Sequence, residues 1–129
     1  MPIQRFARRW QTRFRKVAVW LPAGEAEAVQ ARIAASGLPA SEWIRRVAQR
    51  ALDLRPELSP AGGPGPVTAN LDGALPEGMW LRLDAWRRGR PGRPSMSQHL
   101  RDCIRWYCAA FPHEAVPPGP EGAEAVAGR

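Results

Sequence analysis

The chain has 129 residues, 44% of them hydrophobic, and 19 basic against 12 acidic side chains give it a formal net charge of +7. No apolar run approaches the roughly 18 residues of a membrane span, and the N-terminal stretch lacks the apolar core and small-residue cleavage site of a secretory signal, so a cytoplasmic protein without membrane attachment is expected. The positive excess comes almost entirely from arginine, since Lys16 is the only lysine, and a one-sided patch of this kind attracts polyanions, nucleic acid foremost.

Residues 1 to 14 form a basic arm. Residues 1 to 24 carry Arg5, Arg8, Arg9, Arg13, Arg15 and Lys16 with no acidic side chain, and Phe6, Trp10 and Phe14 recur at a helical spacing of four. Next, Arg15 to Pro22 alternates as a half-buried strand does, with Val17, Val19 and Leu21 on one face and Lys16, Ala18 and Trp20 on the other. Two helical segments follow. Pro22 and the acidic Glu25 and Glu27 suit a helix start, Gly37 suits its left-handed end, and Ser41-Glu42 opens a helix burying Trp43, Ile44, Val47, Ala48, Ala51 and Leu52. The strand therefore has no partner close by. About 40 residues cannot bury enough apolar surface to fold alone, so residues 15 to 54 need either a second copy of the chain or another strand from the same chain.

Residues 55 to 75, with Pro60, Gly62, Gly63, Pro64, Gly65 and Pro66, read as a linker in which Val67 to Leu71 forms at most a weak strand. Residues 76 to 111 return to helical periodicity, first through Met79, Trp80, Leu83 and Trp86, then through Leu100, Cys103, Ile104, Tyr107 and Cys108. Leu75-Pro76 echoes Leu21-Pro22, Gly92 echoes Gly37, and Ser97 to Arg101 echoes Ser41 to Arg45. Residues 76 to 111 are thus either a plain helical hairpin or the helices of a degenerate second copy of residues 15 to 54. Residues 112 to 129 read as a disordered tail rich in Pro, Gly, Ala and Glu. The fold class expected is mainly α with a short β-ribbon.

Residues 15 to 52 resemble the ribbon-helix-helix family of DNA-binding proteins, the group that contains the Met and Arc repressors, whose strands enter a DNA groove. The likeness rests on the basic-flanked strand ending Val19-Trp20-Leu21-Pro22, the turn Ser36-Gly37-Leu38-Pro39, and the helix start Ser41-Glu42-Trp43-Ile44-Arg45. It implies that Lys16, Ala18 and Trp20 face the bases of double-stranded DNA, that Ala40, Ser41 and Glu42 grip phosphate through backbone N–H groups, and that the protein acts as a homodimer or as an intrachain pseudo-dimer. Arg13 and Arg15 join the phosphate-contacting set. Ala18 and Trp20 depart from the polar residues usual in the family, because a methyl and one indole donor read base edges poorly.

The expected function is therefore DNA binding, as a transcriptional repressor or an accessory factor in plasmid DNA processing. The alternative is an antitoxin-type module whose residues 76 to 111 bind a protein partner. Arg88-Gly89-Arg90-Pro91 matches the core of minor-groove peptides, which nominates Arg88, Arg90 and Arg93 as a minor-groove or phosphate turn. His99 and Cys103 share a helix face, but neither His113 nor Cys108 has ligand spacing, so no metal site is expected. No Ser-His-Asp set, carboxylate pair or Gly-rich phosphate loop occurs at an informative spacing, and neither catalysis nor a cofactor is expected.

Overall fold

In the computed structural model, which describes residues 13–59 and 66–119, two strands and four helices alternate as β1 (Phe14–Leu21), α1 (Ala23–Ser36), α2 (Ala40–Leu54), β2 (Ala69–Pro76), α3 (Glu77–Arg88) and α4 (Met96–Ala110). The expected class, mainly helical with a short β-ribbon, is the one observed. None of these helices is long and apolar enough to cross a membrane. Residues 1 to 12 of the basic arm, with Phe6 and Trp10, lie outside the described residues.

The two strands pair antiparallel with each other, Phe14 opposite Pro76 through Leu21 opposite Ala69. Of the two partners left open for β1, the chain thus supplies the internal one. Residues 69 to 75 belong to a full strand rather than to a linker. The sequence signal there is weak because Asn70, Asp72 and Gly73 have low strand propensity. What holds the strand is its ladder with β1 and the burial of Leu71 and Leu75.

Local chemistry explains the helix ends. Pro22 and Pro76 precede α1 and α3 with φ near −58° and −53°, and Glu25 and Glu77 place negative charge in each first turn. Gly37 and Gly92 take positive φ of 73° and 80° between the helices of each pair, a conformation that disfavours residues with a Cβ. Ser95 caps α4, its hydroxyl accepting from the Gln98 N–H at 3.1 Å.

The inner face of the ribbon carries Val17, Val19, Leu21, Leu71 and Leu75, all buried. The helices cover it crosswise: α2 packs on β2, and α4 packs on β1. Trp43, Ile44 and Val47 from the first helix pair and Leu83, Leu100, Ile104 and Tyr107 from the second join one core, with Trp43 edge-on to Tyr107 at a centroid distance of 5.8 Å.

Residues 112–119, read from composition as the start of a disordered tail, pack along α2. Glu114 pairs with Arg50 at 3.1 Å and accepts from the Tyr107 hydroxyl at 2.6 Å, while Arg46 donates to the Pro117 carbonyl at 3.2 Å. Arg32 of α1 reaches the carbonyls of Phe111 and Glu114 at 2.8 and 3.0 Å. Polar anchors fix this segment, and a hydrophobicity pattern does not register them. Residues 120 to 129 lie outside the described residues.

Candidate nucleic-acid interface

The outer face of the ribbon is built from the even-numbered residues. Lys16 stands opposite Ala74, Ala18 opposite Asp72, and Trp20 opposite Asn70. Lys16, Trp20, Asn70 and Asp72 are exposed, Trp20 to 42% despite its size, while Ala18 and Ala74 are half-buried. The helices cover the other face, so these side chains point away from the core.

Asn70, Asp72 and Ala74 are the outward residues that the reading of residues 55 to 75 as a linker passed over. A signal for them exists. Leu21-Pro22 and Leu75-Pro76 are 54 positions apart, and the same interval carries Lys16, Ala18 and Trp20 onto Asn70, Asp72 and Ala74. In the ribbon these trios face one another in reverse order, which is what a two-fold axis through the Ala18–Asp72 pair produces.

The second helices repeat that relation. The Ala74 N–H donates to Ser41 Oγ at 3.1 Å, and the Trp20 N–H donates to Ser97 Oγ at 3.0 Å. Each serine opens the second helix of one strand-helix-helix unit and accepts from the strand of the other. Arg101 adds a bond from its guanidinium to the Trp20 carbonyl at 2.9 Å. A ribbon of two strands has two open edges, and these contacts occupy part of each.

The nominated phosphate-clamp residues Ala40, Ser41 and Glu42 form the first turn of α2. Their amides precede the first bond of the helix, from the Trp43 N–H to the Pro39 carbonyl at 3.0 Å. A hollow of about 270 Å³ lies between that turn and the ribbon, lined by Phe14, Pro39, Ser41, Glu42, Arg45 and Ala74. Glu42 bonds to Arg45 and, at 2.8 Å, to Arg46. Hydrogen bonding from Arg45 holds the Glu42 carboxyl below its ordinary pKa, against the opposing effect of burial.

The flanking arginines are placed differently from one another. Arg13 is exposed and lies 3.7 Å from Glu77. Arg15 alternates toward the inner side, where its guanidinium lies over Trp80 at 3.5 Å from the ring centroid.

The Arg88-Gly89-Arg90-Pro91 stretch is not the extended peptide that minor-groove insertion requires. Helix α3 runs through Arg88, and residues 89 to 92 turn back toward α4. Arg88 is 69% exposed and pairs with Asp84 at 3.0 Å. Arg90 is 10% exposed, donates to Asp102 Oδ2 at 3.0 Å, and lies 3.0 Å from His99 Nδ1. Its guanidinium is therefore committed to the interior, drawn there by a carboxylate that would otherwise be buried without a cation. Arg93 is exposed, with φ of 43°.

Because Arg90 has no acceptor, His99 Nδ1 must be the accepting nitrogen and Nε2 carries the proton. Burial first, and then Arg90, Arg87 and Arg55, push the His99 pKa down to about 4, so the ring is neutral at physiological pH. Cys103, its neighbour on the helix, is buried, and desolvation raises its thiol to about 12. Among the described residues, no group of three or more His, Cys, Asp or Glu side chains is placed to hold a metal ion.

No known protein family, curated protein or solved structure matches the chain.

Proposed function

We propose that the chain is a single-chain ribbon-helix-helix protein that binds double-stranded DNA by laying its ribbon in the major groove, acting as a transcriptional repressor or as an accessory factor in plasmid DNA processing. The observation that carries this reading is the outer face of the ribbon: two antiparallel strands with exposed Lys16, Trp20, Asn70 and Asp72, flanked by the serine-anchored starts of two helices. The major groove is wide enough for a two-stranded ribbon. Lys16, Ala18 and Trp20 of β1, together with Asn70, Asp72 and Ala74 of β2, are the base-facing set. The first turns of α2 and α4 and the arginines of residues 1 to 13 serve the phosphates.

The alternative, a module whose residues 76 to 111 capture a protein, requires that segment to be available. Leu83, Leu100, Ile104 and Tyr107 are instead buried in the shared core, which counts against that alternative.

The test is duplex binding across a salt series. Each phosphate contact contributes a log–log slope of about −0.9, so four contacts weaken binding by about two orders of magnitude between 50 and 200 mM salt. Lys16→Ala weakens binding throughout. Absence of duplex binding at low salt, or indifference to salt, rejects the proposal.

A further inference from the structure

We infer that the ribbon recognises a non-palindromic DNA site in one orientation, with Asp72 selecting cytosine at its centre and Lys16 selecting guanine to one side. The inference rests on the DNA reading above and deepens it. In a ribbon made by two identical chains, the outward pairs on either side of the two-fold axis are the same, and the operator mirrors that symmetry. Here the corresponding pairs differ. One end offers Lys16 beside Ala74, the other offers Trp20 beside Asn70, and the pair on the axis is Ala18 with Asp72. Arg13 adds to the asymmetry, because its counterpart 54 positions on, before β2, is the uncharged Val67.

The chemistry of each position is definite. A carboxylate accepts hydrogen bonds only, and beside phosphates it is unfavourable unless a donor meets it. In the major groove the donors are the amino groups of cytosine and adenine, and cytosine N4 is the usual partner of Asp. Opposite guanine or thymine the carboxylate meets acceptors and repels them, so Asp72 also excludes wrong bases. Asn70 Nδ2 donates to Asp72 Oδ1 at 2.8 Å, which orients the carboxylate and uses one amide hydrogen. Ala18, across the ribbon, presents only a methyl group and leaves the centre to Asp72. At the Lys16 end, an ammonium beside a methyl group favours the O6 and N7 acceptors of guanine. Outward residues recur about every 6.8 Å along a strand, so adjacent levels of the ribbon fall about two base-pair steps apart.

The test selects binders for the full-length chain from a pool of duplexes with random cores. The expected motif is non-palindromic, with a central C·G pair whose replacement weakens binding about tenfold and a guanine preference on one side only. Asp72→Ala reduces the central preference to less than about threefold while the guanine preference persists. Asp72→Asn moves the central preference from cytosine toward adenine, the base that an amide pairs bidentately. Lys16→Ala, besides weakening binding, abolishes the guanine preference and leaves the central one. A palindromic motif, or a central preference that is unchanged in both Asp72 variants, overturns the inference while duplex binding itself stands. Failure of any duplex to bind in a salt-dependent way overturns the DNA reading and this inference together.

Discussion

The Ser41 hydroxyl accepts a hydrogen bond from the Ala74 N–H at 3.1 Å, joining the first helix pair to the second strand. Its counterpart joins Ser97 to Trp20 at 3.0 Å. Neither strand-helix-helix unit closes its own strand; each closes that of the other.

Replacing these serines therefore loosens the ribbon without touching the apolar core. Ser41→Ala is expected to lower stability by about 1 kcal/mol, since its strand donor is partly buried, and Ser97→Ala by less, since its bond is exposed. Urea denaturation of the two variants and their combination checks both values, and the two effects add if the sites are independent.

The free protein is expected to sediment as a monomer of 14.3 kDa with an unfolding midpoint that does not change with protein concentration. Both strands and all the described core residues come from one chain. A midpoint that rises with concentration would show that folding requires a second copy.

His99 makes stability depend on pH in a defined window. Its folded pKa of about 4 lies below the ordinary value of 6.5, so between these values the unfolded chain binds more protons than the folded one. Stability from this group is fully present above pH 6.5 and is lost as pH falls toward 4, by up to about 3 kcal/mol. Denaturation midpoints measured from pH 7.5 to 4 show this loss, and His99→Gln flattens that part of the profile.

Arg90 and Arg93 stand three residues apart in one turn, yet their substitutions are expected to act differently. Arg90→Ala leaves Asp102 buried without its cation and destabilises by about 3 to 5 kcal/mol. Arg93→Ala leaves the thermal midpoint within about 2 °C of wild type, as a surface change does. Thermal denaturation separates the two outcomes.

Gly73 occupies the place in β2 that Val19 has in β1. A Cβ there would meet Ile44 Cδ1 at 3.0 Å, and Ile44 is fully buried with little room to give, so Gly73→Ala is expected to destabilise the wild type. Removing that methyl through Ile44→Val relieves the clash. The double variant then loses less stability than the sum of the two single ones, a non-additivity that a double-mutant cycle measures directly.

The helices were legible because their apolar faces repeat at helical spacing and because Pro22, Gly37, Pro76 and Gly92 mark their ends. Strand β1 was legible from its alternation. Strand β2 was legible only as a weak strand, since Gly73 interrupts the pattern and Asn70 and Asp72 belong more often to turns; its pairing with β1 completes it. The same gap hid half of the candidate interface. Lys16, Ala18 and Trp20 were found where alternation placed them, but Asn70, Asp72 and Ala74 needed the Leu-Pro interval to be carried backwards. Arg90 misled for another reason: a local motif records an arginine and a turn, not the Asp102 carboxylate that draws the side chain inward.

Joining both strands in one polypeptide also changes how such a surface evolves. In a ribbon assembled from two copies, every inherited substitution appears twice, so a gain at one end is imposed on the other. Here a codon for Lys16 or Asn70 alters a single place on the outer face. The two ends of the outer face can therefore change one mutation at a time.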